Sequence, residues 1–111
     1  MISGIPLLRM SVEVQCWPLW IIRDWSADNV DPLALGVSQQ LSADLLAWQK
    51  SYEDIFDWDY PPDTHWPTET GEADFAAVGR SPAIRLRTEV DARVPIELVE
   101  HLQGKRFVLS Y

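Results

Sequence analysis

The chain has 111 residues, 47% apolar and 23% charged, with seventeen acids against nine bases and a formal net charge of −8. That length accommodates one domain around one hydrophobic core, and six Trp, three Tyr and three Phe exclude a disordered acidic tail. The acidity argues against nucleic acid or an anionic membrane surface as partner, because each requires a basic footprint.

In chain order, residues 8–16 alternate as a strand does, with Leu8, Met10, Val12, Val14 and Cys16 on one face and Arg9, Ser11, Glu13 and Gln15 on the other. Cys16 permits no internal disulfide and reads as a small buried hydrophobe. Pro18 cannot donate to a ladder, so Trp17-Pro18 predicts a bend. Residues 19–25 then return as a second strand, with Trp17, Trp20 and Trp25 expected between sheet and helices. The Ser26-Ala27-Asp28-Asn29 stretch has turn chemistry, and Asp31-Pro32 opens an irregular connection.

Ser38 is a good N-cap, and Leu41, Leu45, Trp48, Tyr52, Ile55 and Phe56 follow at spacings of three and four. They predict an amphipathic helix ending near Asp57, which Pro61-Pro62 cannot continue, and a loop over residues 63–67. A second helix is expected after Thr68 or Thr70, with Glu69, Glu72 and Asp74 suited to its positive end. Its apolar positions are Phe75, Val78, Pro82, Leu86 and Val90, with a kink at Pro82 beside Gly79. Residues 94–99 favour a strand, the alternative being a short Pro-started helix ending at Gly104. Residues 106–111 form a last strand with Phe107, Leu109 and Tyr111 on one face. The expected order is β-β-α-α-β-β, an α+β fold with two helices on one face of an antiparallel sheet.

Charge is distributed unevenly along this order. Residues 51–79 contain no Lys or Arg but hold eight acids, Glu53, Asp54, Asp57, Asp59, Asp63, Glu69, Glu72 and Asp74. Five acids against three bases precede this window, and four against six follow it, so the flanks cancel and the window equals the whole net charge. Trp48, Tyr52, Phe56 and Phe75 fall on helical stripes and read as core. Trp58, Tyr60 and Trp66 fall outside them, among acids and prolines, and are the candidate anchors for a basic partner. The candidate binding set is Asp57, Trp58, Asp59, Tyr60, Asp63, Trp66 and Glu69.

Catalytic and metal patterns are weak. His65 lies in a Pro-rich loop and His101 near the end, neither beside a nucleophile. One Cys and two His lack zinc-ligand spacing, and Pro61-Pro62 occupy positions where a calcium loop of the Asp57-Trp58-Asp59 type wants an oxygen ligand and then Gly. The five glycines are scattered singly, so no phosphate-cradling loop is formed. Asp57, Asp59 and Asp63 offer the carboxylate pairs of a small hydrolase, as any acidic window does. The expectation is therefore a protein without enzymatic activity, metal or cofactor. Residues 1–10, with Pro6 and only Arg9 basic, do not resemble a signal peptide, so the expected location is cytoplasmic.

A combination of motifs carries a resemblance: Cys16-Trp17-Pro18-Leu19-Trp20, Asn29-Val30-Asp31-Pro32, Ser38, Ala47-Trp48, Asp57-Trp58-Asp59, Phe75 with Gly79-Arg80, and Arg85-Leu86-Arg87. The chain resembles, over residues 12–90, a family of small uncharacterised bacterial proteins, many of them actinobacterial. It departs from that pattern at Pro82, in the longer stretch of residues 21–28, and in the tail after His101. The resemblance carries no active site. Small acidic proteins of this kind are similar to immunity proteins of polymorphic-toxin and contact-dependent inhibition systems, which implies a basic, nuclease-type toxin domain as partner. Two other readings stay open, a general acidic interaction module and a small hydrolase using paired carboxylates.

Overall fold

The computed structural model describes residues 2–100 and 105–109. Three strands open the chain, β1 (Leu8–Met10), β2 (Leu19–Ile22) and β3 (Ala27–Val30). Helices α1 (Pro32–Leu35), α2 (Gln39–Glu53) and α3 (Gly71–Glu89) follow, with a 3-10 turn at Pro61–Asp63 before α3. Strands β4 (Ile96–Glu100) and β5 (Lys105–Val108) close the described chain. The fold is α+β, and its five strands form one sheet in the order β3-β2-β1-β4-β5.

The sheet is mixed rather than antiparallel. Strand β4 lies parallel to β1, with Leu8 opposite Ile96 and Met10 opposite Leu98, while the other three pairings are antiparallel. Alternation along a strand specifies which face is buried but says nothing about its neighbour, which here is chosen by the long helical connection between β3 and β4.

Expectations about residues 8–32 need correction, among them the second strand, which stops at Ile22. Strand β1 stops at Met10 because the backbone turns at Gln15 (φ 59°), where the Cys16 amide donates to the Glu13 carbonyl. The Ser26–Asn29 turn is strand β3, paired with β2 from Leu19↔Val30 to Ile22↔Ala27, and the turn itself falls earlier, where the Arg23 amide donates to the Ser26 carbonyl at 2.9 Å. A turn-rich sequence forms this strand because an edge strand needs only one ladder and tolerates exposed polar residues. Asp31-Pro32 begins α1: the Asp31 carboxylate accepts from the Leu33 amide at 3.0 Å, Pro32 occupies the first helical position, and Gly36 closes it at φ 109°. The full order is thus β-β-β-α-α-α-β-β.

Helix α2 begins as its sequence predicts. Ser38 Oγ accepts from the Leu41 amide at 3.2 Å and donates to Glu89 Oε2 at 2.7 Å, tying the start of α2 to the end of α3. Leu41, Leu45, Trp48 and Tyr52 are buried, as expected of the stripe. On α3 the inner face is Phe75, Gly79, Pro82, Ala83 and Leu86, whereas Val78 is exposed. Pro82 interrupts the bonding without ending the helix. It has no N–H to donate to the Val78 carbonyl, so the helix runs on with one backbone bond fewer.

These helix faces meet Leu8, Met10, Leu19, Ile96 and Leu98 from one face of the sheet in a single core. The opposite face carries Arg9 and Glu97, paired across β1 and β4, and Trp20, whose indole N–H donates to the Ser11 carbonyl at 3.1 Å. Trp20 therefore covers the outer face rather than the space under the helices. The strand expected over residues 94–99 is β4, which begins only at Ile96, after Pro95, and Tyr111 and His101 lie outside the described residues.

The entry to β4 is acid-sensitive. The Asp91 carboxyl is held at about 2, below its ordinary 3.8, chiefly because the Arg93 side chain and amide donate to it. A depressed carboxyl contributes stability above its unfolded value and loses it as pH falls through the folded one. Asp91→Asn should therefore flatten the dependence of the melting temperature on pH between about 4 and 2, measured by circular dichroism.

Candidate functional site

The junction between α2 and α3 is assembled from short local bonds. Helix α2 ends in tightened turns, the Ile55 and Phe56 amides donating to the Tyr52 and Glu53 carbonyls. The Asp57 amide then donates to Thr64 Oγ1 at 3.0 Å, which closes the loop on itself. Asp57 Oδ1 accepts from the amides of Asp59 at 3.0 Å and Tyr60 at 2.9 Å, an Asx turn that sets the path of residues 58–60. The 3-10 turn continues it, Asp63 and Thr64 donating to the Tyr60 and Pro61 carbonyls.

The aromatics of this junction divide. Trp58 and Tyr60 are 57% and 58% exposed, and Trp58 is braced edge-on against Phe56 with ring centroids 4.8 Å apart. Trp66 is half-buried and turns inward, its ring 4.9 Å from that of Phe75 at the rim of the core. Gly71 makes room for it, because a Cβ there would lie 2.7 Å from Trp66 Cβ. The acids divide as well. Asp57 is half-buried and committed to the turn, while Asp59, Asp63 and Glu69 are exposed. Among the described residues none of these four forms an ion pair; in the window only Asp54 does, with Lys50 at 2.9 Å. His65 is exposed, its Nδ1 2.7 Å from the Asp63 carbonyl. No group of three or more His, Cys, Asp or Glu among the described residues is placed to hold a metal.

Two tryptophans expected inside are outside. Trp25 is 97% exposed at the β2–β3 turn and Trp17 is 43% exposed at the bend before Pro18. Trp17 follows the last position of the alternation over residues 8–16 and precedes Pro18, and Trp25 borders the turn residues Asp24 and Ser26, which is the signal that separates them from core positions. Cys16 is half-buried rather than buried. Partial burial, then the carboxylates of Glu13 and Glu53, push its thiol up, so it stays protonated and a poor nucleophile at neutral pH.

This is a small α+β domain that displays aromatic side chains among unpaired carboxylates on the junction between two helices. The chain belongs to the Serratia CdiI immunity protein-like family, whose model matches residues 6–101. Comparison with curated proteins gives no match. No helix among the described residues is long and apolar enough to cross a membrane.

Proposed function

We propose that this protein is an immunity protein that binds and neutralises the basic toxin domain of a contact-dependent inhibition system. It acts by binding, not by catalysis. Membership of the immunity-protein-like family over residues 6–101 carries the reading, and the junction at residues 57–69 supplies chemistry suited to it. Trp58 and Tyr60 are the anchors: large, amphipathic side chains with few rotamers to lose on burial. Asp59, Asp63 and Glu69 are the charge partners, exposed and in no ion pair among the described residues, and therefore available to steer a cationic surface. Asp57 and Trp66 support them from beneath, one shaping the turn and the other fixing it to the core.

Co-expression with the C-terminal domain encoded by the adjoining upstream reading frame tests the proposal. Protected growth and a one-to-one complex in size-exclusion chromatography are the expected result. A toxin domain that kills equally with and without this protein, and elutes apart from it, would end the reading.

A further inference from the structure

We infer that the groove between the turn at residues 15–17 and helix α2 is a second binding surface, and that it takes an arginine side chain presented by a protein partner. The groove has a volume of about 550 Å³, with Gln15, Cys16, Trp17, Leu46, Gln49 and Glu53 on its walls. It lies outside residues 57–69, and only the identity of the partner rests on the immunity reading.

Three side chains hold the turn that forms its outer wall. Gln49 of α2 is 3% exposed and commits its amide to the backbone of Glu13, donating to its carbonyl and accepting from its N–H. Glu53 Oε2 accepts from the Gln15 amide at 2.8 Å. Asn29 of the edge strand grips Trp17 on both sides, accepting from its N–H at 2.9 Å and donating to its carbonyl at 2.7 Å. Gln15 sits in the left-handed region at φ 59°, a conformation non-glycine residues keep only where their surroundings over-determine it and one that collects at functional sites. The product of this scaffolding is a Trp17 that stays partly exposed, beside a Leu46 that is 41% exposed. Core packing does not require that arrangement.

The charge in the groove selects its occupant. Glu53 lines the groove together with Cys16 and Trp17, its carboxylate held at the Gln15 amide. Lys50, the base on its wall, is bound through Nζ to both oxygens of Asp54, at 2.9 and 3.1 Å. An indole and a carboxylate on the walls of one groove suit a guanidinium, which stacks on the ring while its planar fork donates to the acid. An ammonium matches the charge but not the stacking.

The full-length ¹⁵N-labelled protein should be titrated with a hexa-arginine peptide and, separately, with hexa-lysine at physiological ionic strength, reading amide and indole NMR shifts. The expected result is movement of the Trp17 indole and of the Gln15 and Cys16 amides with arginine. The Cys16 shift should need about tenfold more peptide in Trp17→Ala and in Glu53→Gln, the latter keeping an acceptor oxygen for the Gln15 amide. Equal shifts with hexa-lysine, shifts confined to residues 57–69, or a dimer that Trp17→Ala dissolves would each overturn the proposal. Arginine shifts at Trp17 without any toxin complex would keep the groove and remove the immunity reading. A toxin complex indifferent to both variants, with no arginine shift at Trp17, would do the reverse.

Discussion

Lysine at both Asp59 and Asp63 is expected to slow association with the toxin domain by about tenfold to a thousandfold at low salt, and to flatten its salt dependence. Both carboxylates are exposed and neither holds a backbone amide, so the double variant should fold as the parent does. Asp57 is left intact for the opposite reason. Its carboxylate organises residues 58–60, and its loss would confuse a charge effect with a collapsed loop. The aromatic contribution should appear in the other rate constant. Trp58→Ala with Tyr60→Ala is expected to leave association nearly unchanged and to speed dissociation, because buried anchors set how long a complex lasts. Stopped-flow association and surface-plasmon dissociation separate the two. Association insensitive to Asp59 and Asp63 would remove the junction from the steering surface.

Gly79→Ala is expected to destabilise the fold by about 1–3 kcal/mol, although Ala is the better helix former by about 1 kcal/mol. A Cβ at residue 79 would stand 2.7 Å from Nε1 and 2.8 Å from Cε2 of Trp48. That indole has nowhere to retreat. It is 2% exposed, stacked on Phe75 with centroids 5.2 Å apart and planes at 19°, and its N–H donates to the Phe75 carbonyl at 3.3 Å. Moving it disturbs the contact between α2 and α3 and, through Phe75, the seat of Trp66 below the junction. Urea unfolding monitored by Trp fluorescence measures the loss. A variant as stable as the parent would mean that α3 shifts away from Trp48 at little cost.

The same residues show how far the helices were legible. The α2 stripe from Leu41 to Tyr52 and the Ser38 cap were readable because helical periodicity and capping act over a few residues. The inner face of α3 was less so. Val78 has the hydropathy of a core residue and Gly79 has none, yet the glycine is inside, since the bulk of Trp48, thirty-one residues earlier in sequence, needs a gap opposite it. Hydropathy ranks side chains singly, and complementarity between two helices is not a property of either alone.

The junction divides in the same way. Its composition was plain in the sequence: four acids, no Lys or Arg, and three aromatics outside any stripe. Tertiary structure decided that Trp58 and Tyr60 face solvent while Trp66 turns toward Phe75 at the rim of the core, its ring 4.9 Å away. Strand β3 and the place of β4 beside β1 were likewise invisible locally, since sheet pairing joins residues tens of positions apart through backbone groups that every residue carries. By itself the sequence determined an acidic α+β fold, two long amphipathic helices and the concentration of charge between them. The three-dimensional packing alone decided sheet order, which aromatics are presented, and the pinned turn that displays Trp17, because each depends on what lies opposite a residue rather than beside it.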